Sequence, residues 1–564
     1  MSKLRFLYLK KVNITGSFEQ IFENLKWLRW DCCPFKYLPS DFYPQKLVIL
    51  ELPHSNIRTM WQLNKASRVF EELKTLNMSY SHLSSTPDFT KFPSLETLNL
   101  EGCESLEEID MSIGSLSRLV SLTLRGCVKL KRLPDTICNL RALKILTIDS
   151  CISLEALPIK LGNIESLTKL NASGLNVLKL PNSIRRLSKL VELNLKGNKY
   201  LENLPHTICN LRALQVLDIG GCSNLDTLPT AIGSIKSLRE LNAEKLAVSN
   251  LLDSIGYSCA CDLSVLFLAH QISLEILNIS GCEKLEVLPD QLWKLTRLRV
   301  LDAGGATMLK ILPDIESSQI PLPLQKLDIS ETGLTSLPSG IIHFSNLKSL
   351  ELNDCIHLLS IIELPPNLKY ITANGCTSLE TLPHLSNLKQ LEELDLAYCS
   401  GLTEILGLEE LSALEVLQLT GCSSTLVSYL LTKRLFQIYS EFGHSIHIYA
   451  PLPDIPDWIS QSSVGDKMCI DLPPIVSYDF LGMILCFKHL GVDKGYLTNY
   501  SVKNRTSDFI WRSSFGISSH ESLIVIVPRS IFSVRDGDDR IELTTTNAGL
   551  QMIVGFIYNE NSDQ

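Results

Sequence analysis

The chain has 564 residues, of which 45% are hydrophobic, 20% charged and 7% aromatic, a composition that can bury a sizeable core and excludes a disordered or collagen-like chain. With 52 Lys and Arg against 61 Asp and Glu, the net charge is −9, which argues against a partner held by counterion release from a phosphate backbone, and so against nucleic acid. Leucine makes up roughly 21% of the first 424 residues and roughly 9% of the remainder, a shift that places a change of architecture near residue 425.

The opening MSKLRFLYLKK has an apolar run far shorter than a secretory signal core, and no window reaches the ~18 apolar residues of a membrane span. No membrane partner is expected, and cytoplasm or nucleus is the expected location. Leu4, Leu7 and Leu9 already belong to a repeat without a polar capping segment before them, so a preceding domain or a partner is expected to cover that end.

The repeat is plainest at Leu95 to Ile109, LETLNLEGCESLEEI, the pattern L-x-x-L-x-L-x-x-C-x-x-L. It returns with Cys127, Cys151, Cys222, Cys282, Cys355, Cys376, Cys399 and Cys422 at the cysteine position. About 18 copies at a mean step of roughly 24 residues fall within the period of leucine-rich repeats. Alternation in L-x-L puts neighbouring side chains on opposite faces of a short strand, and the leucines of one copy can be buried only against the next. The expected fold is an α/β solenoid, a horseshoe whose concave side is a parallel sheet. Segments such as SIGSLSRL (Ser112 to Leu119) predict a single helical turn on the convex side.

Of the 17 cysteines, those in the ladder lie one strand spacing apart on neighbouring coils. That suits a buried thiol donating to turn backbone and not a zinc site, which needs close-set pairs. Cys32-Cys33 and Cys259-x-Cys261 lie outside the ladder without a second pair, so no metal, cofactor or catalytic site is expected. The step from Leu238 to Leu274 is irregular, and residues 246–273 are expected to be either a loop or a degenerate coil.

The leucine rhythm stops after Cys422. The expected organisation is a repeat solenoid over 1–424, a closing helix (Ser428 to Ser440) and linker over 425–450, and a C-terminal antiparallel β-sandwich over 451–560. The runs DKMCIDL, FLGMILCF, SLIVIVP, DRIEL and MIVGFIY predict its strands.

The sequence resembles the plant intracellular immune receptors that join a TIR domain, a nucleotide-binding domain and leucine-rich repeats. The similarity rests on Leu25 to Trp61, with Trp27, Trp30, Pro34, Leu38-Pro39 and His54-Ser55-Asn56-Ile57, on TPDFTKFPSLETLNLEGC (Thr86 to Cys103), and on IPDWISQSSVGDKMCIDLPP (Ile455 to Pro474). The last resembles the post-repeat jelly-roll or Ig-like domain of the TIR subclass. The resemblance implies a sensor that recognises a pathogen effector protein and regulates a nucleotide-binding domain of the same or a partner receptor. No G-x-x-x-x-G-K-[ST] phosphate loop occurs in the chain, so nucleotide binding and TIR catalysis do not carry over, and no enzyme is expected.

The middle x of each L-x-L forms a polar row that turns acidic toward the C-terminal half. The expected protein-binding residues are Asp302, Asp328, Lys348, Glu351, Lys369, Tyr370, Thr372, Asp395 and Gln418, with Tyr370 as aromatic anchor. Joint charge reversal of Asp302, Asp328, Glu351 and Asp395 is expected to abolish partner capture at nearly unchanged stability. Trp511 and Arg512, expected in sandwich loops, are the candidate second contact, with a core tryptophan the commoner reading of such a residue. The bland alternative is that Asn and Asp cross-bond neighbouring strands and keep the face soluble. Cys469-Ile470-Asp471 spells the Cys-x-Asp of helical bacterial ubiquitin ligases, but its strand context without a nearby His disfavours a nucleophile. The remaining alternative function is a generic intracellular scaffold or adaptor.

Overall fold

The computed structural model describes residues 4–14, 23–39, 41–61, 69–229, 231–247, 273–288, 290–315, 322–423, 425–427, 439 and 444–451, and in the C-terminal module 461–464, 467–471, 480–489, 496–504, 510–517, 522–528, 540–545 and 550–558. The chain forms two compact units, Met1–Val300 and Leu301–Gln564. Strands are numbered β1 to β27 in chain order.

In the first unit each L-x-L supplies one inward residue between two outward ones, so the strands are short. In β5 (Thr97–Asn99) Leu98 is fully buried while Thr97 and Asn99 are partly exposed. It pairs in parallel with β4 (Thr75–Asn77), Leu76 opposite Leu98. The same alignment runs from β1 (Phe6–Lys10) to β12 (Ile276–Asn278). β11 (Glu240–Asn242) pairs directly with β12; residues 248–272, which hold most of the irregular stretch and Cys259-x-Cys261, lie outside the described residues. Leu95, Leu98, Leu100 and Leu106 of one coil are all fully buried. Each contributes about 1.5–3 kcal/mol, available only through the neighbouring coils.

The chain leaves the repeat strands through a residue in the left-handed region, glycine in about half of the described coils, as at Gly102 with φ 66°. Tyr398 holds this position with φ 58°, and its ring covers the next coil, where a β-carbon on Gly421 would lie 2.4 Å from it. Gly421 is therefore required both for its own φ of 70° and for its lack of a side chain. The next residue is the ladder cysteine. Cys127 donates to Leu100 O at 3.2 Å, Cys222 to Leu195 O at 3.2 Å and, in the second unit, Cys376 to Leu352 O at 3.0 Å, so the spacing read from the sequence corresponds to a thiol that bonds the coil before it. Asn198 takes this place in one coil, its amide bonding Ala172 O at 2.9 Å. Burial pushes the Cys222, Cys282 and Cys422 thiols up to about 11. The return path is built from single 3-10 turns such as Met111–Ser115, where Asp110 accepts the Ser112 N–H and Ile113 is buried. Among the described residues the helical share of the repeats thus consists of one-turn 3-10 segments, the tightest helix a short coil accommodates.

The second unit repeats the parallel pattern in β14 (Lys326–Asp328), β15 (Ser349–Glu351), β16 (Tyr370–Thr372), β17 (Glu393–Asp395) and β18 (Val416–Gln418). β19 (Ile446–Ala450) is one rung more: it pairs in parallel with β18, Leu417 opposite Ile448, and antiparallel with β25 (Ser522–Pro528), Ile448 opposite Ile524. The stretch expected as closing helix and linker therefore contains a strand common to the repeats and the terminal module. Of the expected Ser428–Ser440 helix, the described part is Tyr439, which is helical, fully buried and donates its hydroxyl to Leu408 O at 3.1 Å; 425–427 are helical too.

The terminal module is the expected antiparallel sandwich. One sheet runs β19, β25, β22 (Phe480–His489), β27 (Leu550–Tyr558), β20 (Gln461–Val464). The other runs β21 (Lys467–Asp471), β26 (Arg540–Thr545), β23 (Tyr496–Asn504), β24 (Ile510–Ile517). Leu485, Phe487, Leu523, Val525 and Val554 of the first sheet pack against Met468, Tyr500, Val502, Ile541 and Leu543 of the second. Gln418, Tyr449 and Leu523 are successive cross-strand partners and so share one sheet face. Because Leu523 faces the second sheet, that sheet stands on the same side as the outward residues of the repeats.

Native-state alkylation at pH 7.5 followed by peptide mapping is expected to modify Cys469, which is exposed, and to spare Cys222, Cys282 and Cys422 until the chain unfolds. Asn198→Ala, which strips a buried amide from Ala172 O and leaves Leu175 N–H without its 3.1 Å acceptor, is expected to cost about 2–3 kcal/mol in urea unfolding. Cys376→Ala is expected to cost about 1–2 kcal/mol.

Candidate functional site

The outward face of the second unit carries two rows, since the first and third residues of each strand point the same way. Lys326, Ser349, Tyr370, Glu393, Val416 and His447 are in register, as are Asp328, Glu351, Thr372, Asp395, Gln418 and Tyr449. Five of the nine residues expected from the sequence, Glu351, Tyr370, Thr372, Asp395 and Gln418, thus lie on adjoining rungs, with Asp328 beside Glu351. Asp302 ends the preceding strand, Val300–Asp302. Lys348 and Lys369 lie just before their strands and bond one another's backbone, Lys369 N–H to Lys348 O at 2.8 Å.

The acidic residues do structural work as well. Asp302 Oδ1 accepts the Gly304 N–H at 3.1 Å, Asp328 that of Ser330 at 3.0 Å and Asp395 that of Ala397 at 2.9 Å. Asn99 and Asn194 make the same bond in the first unit. The Asn or Asp at this position therefore caps its own strand end two residues on, a local side-chain-to-backbone bond. This is a mechanism the sequence reading, which considered cross-strand bonds, did not contain. Charge reversal at Asp302, Asp328 and Asp395 would remove three caps along with the charge, so unchanged stability does not follow for that variant; Asp→Asn keeps the acceptor and isolates the charge.

The charges divide the face into a neutralised and an uncompensated part. Lys326, missed in the sequence reading, sits 2.7 Å from Glu351. Burial disfavours its ammonium, but the bond to Glu351 and the fields of Asp328 and Asp302 outweigh it and hold the group above its usual range. Burial raises the Glu351 carboxyl, Lys326 pulls it back and Asp328 pushes it up again, with a net rise. Two rungs further on, Glu393 and Asp395 stand on one strand. Burial raises both, and Asp395 raises Glu393 further. No cation lies within ion-pair distance of either among the described residues. On the rungs on both sides of Asp395, Thr372 Oγ1 and Gln418 Oε1 are buried and make no hydrogen bond among the described residues. Unpaired buried polar atoms each cost about 1–3 kcal/mol, and here two of them flank an uncompensated carboxylate.

Tyr370 is 40% exposed and is held by a residue the sequence reading also missed, Glu392, whose carboxylate accepts its hydroxyl at 2.7 Å and pairs with Lys369. The bond to Glu392 raises the Tyr370 phenol, and Lys369 followed by Tyr370 lower the Glu392 carboxyl. Lys369 is thereby occupied inside the molecule. Lys326 and Glu393 were legible, because each stands two residues before an Asp already singled out; Glu392, before its strand, falls outside that alternation.

The sandwich closes this face at β19. His447 Nε2 lies 3.1 Å from Tyr500 Oη on β23, linking the rung in register with Val416 to the second sheet. Burial lowers the His447 imidazole. Trp511 and Arg512 are on strand β24, opposite Val502 and Ser501, and not in loops as expected; IWRSSFGI pairs with β23 along its whole length. Cys469 is on β21 opposite Glu542. No helix among the described residues is long and apolar enough to cross a membrane.

The chain is similar to known proteins. Residues 72–196 match a family model described as a leucine-rich repeat region. Among curated relatives, the disease resistance protein RPS4B of Arabidopsis thaliana is 27% identical over 66% of this chain and 23% of its own length. The TMV resistance protein N of Nicotiana glutinosa is 27% identical over 87% of the chain and 41% of its own. The disease resistance-like protein DSC1 of Arabidopsis thaliana is 28% identical over 88% and 40%. The chain thus spans well under half the length of these relatives. Among solved structures, the leucine-rich-repeat protein LIC12759 of Leptospira interrogans covers 75% of this chain and 98% of its own at 21% identity, with a TM-score of 0.48.

Because burial raises Glu393 and Asp395, their folded-state pKa values lie above the unfolded ones, so their contribution to stability is full below the ordinary carboxylate range and is lost as pH rises through the folded values. The double variant Glu393→Gln/Asp395→Asn, which keeps the Ala397 cap, is expected to be more stable than the parent by about 0.5 kcal/mol at pH 7 after solvent screening. The gain should vanish by pH 3.5 in urea unfolding followed at both pH values.

Proposed function

We propose that this chain, a leucine-rich-repeat array homologous to plant disease resistance proteins, is the effector-recognition region of an intracellular immune receptor. In this reading it binds a pathogen protein through the outward face of its second unit and the adjoining sandwich. The observation that carries it is the Asp395 neighbourhood: two half-buried carboxylates that have no cation, and two flanking buried polar atoms that have no partner, among the described residues, beside a tyrosine fixed by Glu392 and next to the sandwich. A surface in this state gains when another protein supplies a guanidinium or ammonium to the carboxylates and packs on the tyrosine ring. Rigid rungs about 4.8 Å apart hold those groups in place without an ordering cost at binding. The repeats would pass the event to a nucleotide-binding domain of the same or a partner receptor, in cytoplasm or nucleus. The similarity to disease resistance proteins, which extends over 66–88% of this chain, favours this over a general scaffold role.

The test is a panel of purified pathogen-secreted proteins titrated against the immobilised full chain by interferometry. A partner is expected whose affinity falls at least about tenfold in Glu351→Gln/Glu393→Gln/Asp395→Asn and again in Tyr370→Ala, with the melting temperature within about 2 °C of the parent. Binding indifferent to all four substitutions would sink the assignment of the site.

A further inference from the structure

The first unit holds a groove of about 1050 Å³ on the side of the coils away from the sheet, where the Leu-Pro steps of successive repeats follow one another. Its lining includes Lys160, Lys179, Arg185, Arg186 and His206, and no Asp or Glu. In a chain of net charge −9 this is a local reversal of sign. The cations are largely uncommitted. Lys160, Arg185 and His206 have no carboxylate within ion-pair distance among the described residues, and Lys179 reaches Glu202 only at 3.6 Å with both side chains more than half exposed, a pair of little worth. Arg186 donates Nη1 to Asn163 Oδ1 across the coil at 3.0 Å, which fixes the guanidinium at the groove. Beside these charges Ile159 is 82% exposed and offers the groove an apolar side chain.

We infer that this groove is a second binding site, taking an extended acidic segment of a protein partner whose carboxylates meet Lys160, Arg185 and Arg186 and whose apolar side chains cover Ile159. The groove crosses four coils, a span of about four or five extended residues, and the alternation of an extended chain delivers acidic and apolar side chains to opposite walls. Its mixture of charge and exposed hydrocarbon separates it from a nucleic-acid site, which would follow a phosphate backbone with a continuous basic track. It lies in a different unit from the Asp395 face and has the opposite charge preference, so it stands or falls separately from that site.

Fluorescence anisotropy of a labelled hexapeptide alternating Glu and Leu, titrated with the full chain, tests this. Binding is expected, weakened at least about tenfold in Lys160→Gln/Arg185→Gln and by a similar factor when Gln replaces Glu in the peptide, but unchanged in Glu393→Gln/Asp395→Asn. Circular dichroism melts confirm that the groove variant is folded. The inference is overturned if the parent shows no binding up to millimolar concentration, if the groove variant binds as the parent does, or if the Gln peptide or a hexathymidylate binds equally well.

Discussion

Each coil's leucines find a dry environment only against the coils on either side, and this dependence on neighbours governs the rest of the molecule. Leu98 or Leu350 contributes its burial only if the strands beside it are in register, because a slip of one residue would turn the apolar set outward. The turn that ends each strand, the cysteine or asparagine bonding the previous coil, and the Asn or Asp cap serve that alignment. The outward side chains are what remains free to vary, and the chemistry of the chain is written there.

Much of this was legible because repetition multiplies weak signals. One L-x-L says little, but a cysteine returning at a constant step after it locates strand, turn and core together. The sandwich strand Ser522–Pro528 coincides with the run read from sequence, and Phe480–His489 extends its run by two residues. β23, YLTNYSVKN, and β24 escaped notice because polar residues occupy so many of their positions that alternation is faint. β19 escaped for another reason: IHIYA has no leucine, and its inward Ile446 and Ile448 complete the repeat core without the consensus letter.

At the binding face the sequence showed which positions point outward but not how charges settle among themselves. Lys326 and Glu351 find each other across a strand, Lys369 turns to Glu392, and Asp395 meets only neutral donors, the Ala397 N–H and the Asn374 amide. Those outcomes depend on side-chain reach and burial between strands far apart in the chain, which no local pattern encodes. The same holds for the cationic groove, whose residues come from four coils and are individually unremarked.

The double membership of β19 has a consequence for anyone shortening this protein. With β18 on one side and β25 on the other, its backbone is saturated, and the stack ends without a bare edge. A fragment cut after the last leucine-bearing repeat would expose the N–H and C=O row of β18 above an uncovered Leu417. Such a fragment offers a template for self-association, so solubility, and not only recognition, depends on keeping the two parts in one polypeptide.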